Sequence, residues 1–242
     1  MGIEKNPADF LPSDVEAVVA SEWNYAARYN RQSEPRAILL AGQPGAGKTV
    51  LSSMLNKLLC GNVYFINADE YRRFHPNYKE LYARYGSDSV QMTSGFSGAV
   101  TERLIHETSE RGIHLIIEGT GRTTDVPHRT AELLVKKGYR VELAVIATRP
   151  EHSLCSTLLR FYEMNERGTI PRATAMEAHD YVVRVLPDNL DILRDDPVIS
   201  GITIWDRTPT KIYDSCGTAE CPSEVLRQYW NRPWSDEELQ DM

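Results

Sequence analysis

The residues with the plainest chemical purpose lie between positions 42 and 49, in the order Gly42-Gln43-Pro44-Gly45-Ala46-Gly47-Lys48-Thr49. Their spacing is that of a phosphate-binding loop, G-x-x-x-x-G-K-[ST]. Small residues let the backbone close around phosphate oxygens, and successive amide N–H groups then point inward. A helix opening at Lys48 would add positive potential at the same place. Lys48 can reach the β- and γ-phosphates, and the Thr49 hydroxyl is a hard oxygen ligand suited to Mg²⁺. The pattern predicts a nucleoside triphosphate, ATP or GTP, bound with Mg²⁺.

A phosphate loop alone does not separate kinases from other nucleotide-binding proteins. Further candidates lie just after the short apolar runs. Asn67-Ala68-Asp69-Glu70 follows Val63–Ile66. Asp69 could take a proton from an attacking hydroxyl, or simply cap the next helix. It is expected at the strand next to the one that feeds the phosphate loop. Glu118-Gly119-Thr120-Gly121-Arg122 follows His114–Ile117. Here an acid, a hydroxyl and a guanidinium fall within five positions. Glu118 could pair with Arg122, or act near the metal through water. Arg160 lies in a helix, and Arg172 follows the break Gly168-Thr169-Ile170-Pro171. Arginines on such a hinged segment can close over a triphosphate; on a helix they can equally face solvent. Glu102 reads by its type as a surface carboxylate on a helix. The aromatic and basic stretch Tyr71–Tyr78 suits a lid or substrate wall.

These residues need a scaffold that brings strand ends together. Apolar runs at Ala37–Ala41, Val63–Ile66, His114–Ile117, Val141–Ala147 and Ile202–Trp205 alternate with helical stretches. The helices are expected at Pro7–Asn30, Lys48–Leu59, Ser94–Arg111, Pro127–Lys137, Pro150–Arg167 and Ala173–Val185, with a helical tail from Ser223. A short strand near Lys211–Tyr213 would pair with the late one. The pattern predicts an α/β P-loop NTPase or kinase fold, a mainly parallel sheet covered by helices on both faces. Ligands in such sheets bind beyond the carboxyl ends of the strands. One domain is expected over 1–242, with a helical lead-in at 1–35, a kinase core at 36–214 and a helical tail at 215–242.

The chain has 242 residues and a net charge of −7. That balance disfavours non-specific binding to nucleic acid or anionic lipid. No apolar run approaches the roughly 20 residues needed to cross a bilayer, and the N-terminus has no secretory pattern. Four scattered cysteines suit free thiols in a reducing cytoplasm, and no structural metal is expected. Guanine-specificity and protein-kinase motifs are missing. The residues favour a small-molecule kinase, and leave open a nucleotide-gated binding protein without acceptor chemistry.

The ordered motifs GQPGAGKT, FINADEYRRFHPNY, LIIEGTGRTTDVP and VIATRPEHS, with the Arg160–Arg172 pair ending in PRAT, resemble the zeta toxins. These are the toxin halves of epsilon–zeta, or PezA–PezT type, toxin–antitoxin systems. The resemblance runs from about Ala37 to about Asp214. It implies an ATP- and Mg²⁺-dependent kinase that phosphorylates the 3′-hydroxyl of the amino sugar of UDP-N-acetylglucosamine, blocking peptidoglycan precursor synthesis. It implies Asp69 as general base, with Lys48, Arg160 and Arg172 neutralising the triphosphate. It implies Glu102, Glu118, Thr120 and Arg122 as holders of the UDP-sugar. It also implies a small helical antitoxin that blocks the nucleotide site. Relatives acting on other UDP-sugars or nucleotides keep the acceptor open.

Overall fold

The computed structural model describes residues 6–171 and 174–235. Six strands form one sheet: β1 (Arg36–Ala41), β2 (Val63–Asn67), β3 (His114–Glu118), β4 (Arg140–Ile146), β5 (Ile202–Trp205) and β6 (Lys211–Asp214). Their order is β2-β3-β1-β4-β5-β6. All neighbours are parallel except β5 and β6. Parallel pairs need crossovers, and helices supply them. The crossover helices are α2 (Lys48–Leu58), α3 (Ala68–Tyr71), α4 (Tyr78–Tyr85), α5 (Ser89–Met92), α6 (Ser94–Glu110), α7 (Asp125–Lys136), α8 (Pro150–Glu166) and α9 (Met176–Arg194), with α1 (Pro12–Ala26) before the first strand and α10 (Pro222–Asn231) after the last.

Side chains alternate across a strand, so the five apolar residues of β1 serve two cores. Ile38 and Leu40 meet Leu51 and Leu55 of α2 on one face. Ala37, Leu39 and Ala41 belong to a larger core on the other, with α1, α6, α7, α9 and α10. Both faces are therefore covered. The late strands pair as expected, antiparallel.

The order of the strands corrects one expectation. Asp69 follows β2, but β2 does not lie next to β1; β3 lies between them. The sequence carries the reason. Leu115, Ile116 and Ile117 are buried on both faces, which only an interior strand permits. Phe65 of β2 is 37% exposed, tolerable at the sheet edge. The tips still align, because Glu118 is level with Leu40 on one side and with Asn67 on the other.

Two helices differ from their expected bounds by more than two residues at an end. The lead-in helix starts at Pro12, not Pro7. The Asp14 carboxylate accepts the Leu11 N–H at 2.7 Å and fixes the start. Residues ahead of it form a strap: Asn77 Nδ2 donates to Pro7 O at 3.0 Å, and Phe10 packs edge-on against Phe96. Helix α9 runs nine residues past Val185, through Pro187. Proline removes a backbone hydrogen bond. The buried stripe Val182, Leu186, Leu190 and Leu193 continues across it and outweighs that loss.

Leu104 of α6 is fully buried in the larger core. Leu104→Ala should lower the unfolding free energy by about 2–5 kcal/mol in urea titration; a loss well under 1 kcal/mol would mean that this core is loosely packed.

Candidate active site

The sheet switches direction between β1 and β3. The chain leaves β1 for the far side of β3, and leaves β3 for the far side of β1. Such a switch opens a crevice at the carboxyl ends of the two strands. The phosphate loop leaves β1 into this crevice and ends where α2 begins, at Lys48.

The loop is wedged against α8. Gly45 has φ +76°, and a Cβ there would lie 2.0 Å from the Ser153 carbonyl oxygen. Only glycine fits both constraints. Gln43 is fully buried, and its Nε2 donates to Thr148 O at 2.6 Å and to Ser153 Oγ at 3.2 Å. Thr148 Oγ1 donates to Ala46 O at 2.5 Å. Ser153 Oγ also lies 2.7 Å from Nε2 of the buried His179. A chain of polar contacts thus registers the loop on both α8 and α9, the helices on either side of the segment that contains Arg172.

Lys48 Nζ donates to Gly42 O at 2.8 Å and to Gln43 O at 3.3 Å, and lies 3.9 Å from Glu118 Oε1. Its side chain is only 10% exposed. Burial pushes its pKa below the ordinary range. Glu118 and then Asp69 pull it up, and Arg160 pushes it further down. Four of the expected residues, from the phosphate loop, β3, the β2 tip and α8, therefore share one electrostatic neighbourhood. Thr49 is exposed in the first turn of α2.

Asn67 organises the acids. It caps α3, its Oδ1 accepting the Asp69 N–H at 3.0 Å, and its Nδ2 donates to Glu118 Oε2 at 3.2 Å. Capping therefore falls to Asn67 and not to the Asp69 carboxylate. It accepts instead from Arg72 Nε at 2.9 Å and remains 54% exposed. Arg72 is anchored in turn by Val90 O, which its Nη1 meets at 2.5 Å.

The Thr120–Arg122 loop is fixed on α9. Gly121 has φ +73°, and a Cβ there would lie 2.5 Å from Leu186 Cδ1. Its carbonyl accepts Asn189 Nδ2 at 2.8 Å. Arg122 is exposed, and its N–H faces Thr120 Oγ1 at 3.4 Å. Glu102 is exposed on α6, and among the described residues no ion pair joins it to the cluster. Arg172 lies outside the described residues.

Asn67, Arg72, Ser153 and His179 join the site without being expected there from sequence, whereas Gln43 is expected as part of the phosphate loop. Asn67 carries a signal, since asparagine two positions before an acid at a strand-to-helix turn is a cap pattern. Arg72 stands one helical turn beyond Asp69. Ser153 and His179 have no local signature. Together the cluster can bind a phosphate chain on backbone N–H groups, neutralise it with Lys48 and Arg160, and present a carboxylate to a hydroxyl.

The buried lysine yields a pH signature in the nucleotide-free protein. Its ordinary pKa is about 10.5, and its folded value is lower. Between the two, the unfolded chain holds the proton and the folded chain does not. Lys48 therefore contributes stability that rises with pH in that window. Subtracting the unfolding free energy of Lys48→Met from that of the wild type should give a difference that climbs as pH rises toward about 10.5. A flat or falling difference would show that the ammonium is well solvated.

The zeta toxin family model matches residues 20–218. Toxin PezT of Streptococcus pneumoniae serotype 4 is 40% identical over 232 residues, covering 95% of this chain and 92% of the relative. Toxin zeta of Streptococcus pyogenes is 40% identical over 208 residues, covering 85% of this chain and 72% of the relative. Among solved structures, the PezAT chromosomal toxin–antitoxin system of Streptococcus pneumoniae aligns with a TM-score of 0.88 and 36% identity, over 98% of this chain and 94% of that one. With a family match across most of its length and a fold shared with a solved relative, the chain belongs to the zeta toxin family.

Proposed function

We propose that the protein is an ATP-dependent kinase that transfers the γ-phosphoryl group to the 3′-hydroxyl of the amino sugar of UDP-N-acetylglucosamine, and so blocks peptidoglycan precursor synthesis. The observation that carries this is Lys48 at the mouth of the phosphate loop, 3.9 Å from Glu118 Oε1 and within electrostatic reach of Asp69 and Arg160. Family membership supports the sugar acceptor, and the geometry supports phosphoryl transfer.

In this proposal the acceptor oxygen attacks the γ-phosphorus as the bond to the β-phosphate oxygen breaks, and ADP leaves. Asp69 takes the hydroxyl proton. Its exposure at the crevice keeps it accessible to a substrate, and Arg72 holds its orientation. Lys48 and Arg160, with Arg172, neutralise charge that spreads over the phosphoryl oxygens. Residues Gly42, Gln43, Pro44, Gly45, Ala46 and Gly47 supply the backbone cradle, which Gly45 holds close to α8. Glu118, Thr120, Arg122 and Glu102 hold the UDP-sugar.

The residues fit Mg²⁺ as well. Among the described residues no group of three or more His, Cys, Asp or Glu gathers as a protein cage. A magnesium ion in a kinase is instead held largely by phosphate and water, with the exposed Thr49 hydroxyl as protein ligand. When bound it would offset charge on the β- and γ-phosphates.

A solved relative forms part of a toxin–antitoxin system, which supports a small helical antitoxin as partner, blocking the nucleotide site. Nucleic acid and membrane are not proposed as partners. No described helix is long and apolar enough to cross a membrane, and the proposed substrate points to the cytoplasm.

Asp69→Asn tests the base. Phosphoryl transfer from ATP to UDP-N-acetylglucosamine should fall by about 10²–10⁴-fold, with nucleotide affinity retained, since the phosphate loop is untouched. Wild-type turnover in this variant would remove Asp69 from the chemistry.

A further inference from the structure

Asn67 ends β2 and stands level with Glu118, which ends β3. Both ends of its amide are in use. Oδ1 accepts the Asp69 N–H, and Nδ2 donates to Glu118 Oε2. The reverse placement would set N–H against N–H and oxygen against a carboxylate, so the two contacts together define the orientation. Glu118 Oε1 meanwhile lies 3.9 Å from Lys48 Nζ. One short side chain therefore joins the turn carrying Asp69 to the acid beside the phosphate loop.

The requirement is specific. Aspartate would cap α3 as well as asparagine does. Ionised, it has no hydrogen to give Glu118, and would place a second negative charge against it. Serine can cap, but is too short to span to the neighbouring strand. Of the short side chains, only asparagine carries a donor and an acceptor on one rigid plane.

We propose that Asn67 is a positioning residue for phosphoryl transfer, fixing with one amide the spacing between Asp69 and Glu118. The proposal rests on Asp69 being the base of the kinase reaction. Asn67 itself need not touch substrate; it acts through the two carboxylates. A cap alone would be satisfied by aspartate, so the bond to Glu118 separates this role from a merely structural one.

The test compares N67D, N67S and D69N with the wild type, in phosphoryl transfer from ATP-Mg²⁺ to UDP-N-acetylglucosamine. N67D should lower kcat by about 10- to 100-fold, as misplacement of reacting groups does, with the KM for ATP unchanged. Its activity relative to wild type should recover as pH falls. The carboxyl that N67D introduces faces Glu118, with Lys48 and the Asp69–Arg72 pair nearby. Two adjacent carboxylates retain one proton to higher pH than either would alone, and the protonated one can donate across the gap again. N67S should fall in kcat without that recovery, and serves if N67D folds poorly. Wild-type kcat in N67D across the pH range, or in N67S, would overturn the role of Asn67 while a dead D69N leaves the kinase mechanism standing. A fully active D69N would overturn both.

Discussion

A lysine ammonium held almost out of water beside a carboxylate is the interaction on which the site depends. An ionised group in such a place needs close partners, because desolvation removes most of its hydration. Lys48 finds them in two carbonyls of its own loop and in Glu118 across the crevice. Those contacts hold the loop in a curled shape with the amine at its mouth. A phosphate chain offers a lysine in this position stronger, charge-assisted bonds. The arrangement thus favours ligands of high negative charge.

The rest of the fold keeps that lysine and the strand-tip acids in register. β1 is central because its residues face two cores at once, and the loop leaving it inherits that rigidity. Gln43, Thr148, Ser153 and His179 fasten the loop to α8 and α9. The same helices present Arg160 and pack against Gly121. On the other side α6 contributes Phe96 under the N-terminal strap, and the Arg72 bond to Val90 anchors the turn after β2. Most of the sequence thus sets distances among a few groups at one end of the sheet.

Parts of this are legible in the order of residues alone. The phosphate loop is, because its function requires a fixed order of residues in a short span. The strand tips are, because a short apolar run followed by polar residues marks where a parallel strand stops. Strand order is less so: adjacency depends on burial of both faces of β3, and Phe65 looks as apolar as Ile116 in a linear reading. The ends of α9 are obscured by Pro187, whose local cost is outweighed only by distant packing of Leu190 and Leu193. The link from Gln43 to Ser153 spans 110 positions, and no local pattern records it. Asn67 falls between these cases, since its capping role is local and its bond to Glu118 is not.

The central claim is that this crevice passes a phosphoryl group from ATP to a sugar hydroxyl. Its most direct test is the product formed from UDP-N-acetylglucosamine, ATP and Mg²⁺, analysed by mass spectrometry and by phosphorus–proton correlation in NMR. The account predicts one added phosphate, coupled to the proton on carbon 3 of the amino sugar, with one ADP formed per product. Release of inorganic phosphate alone, with the sugar nucleotide unchanged, would contradict it.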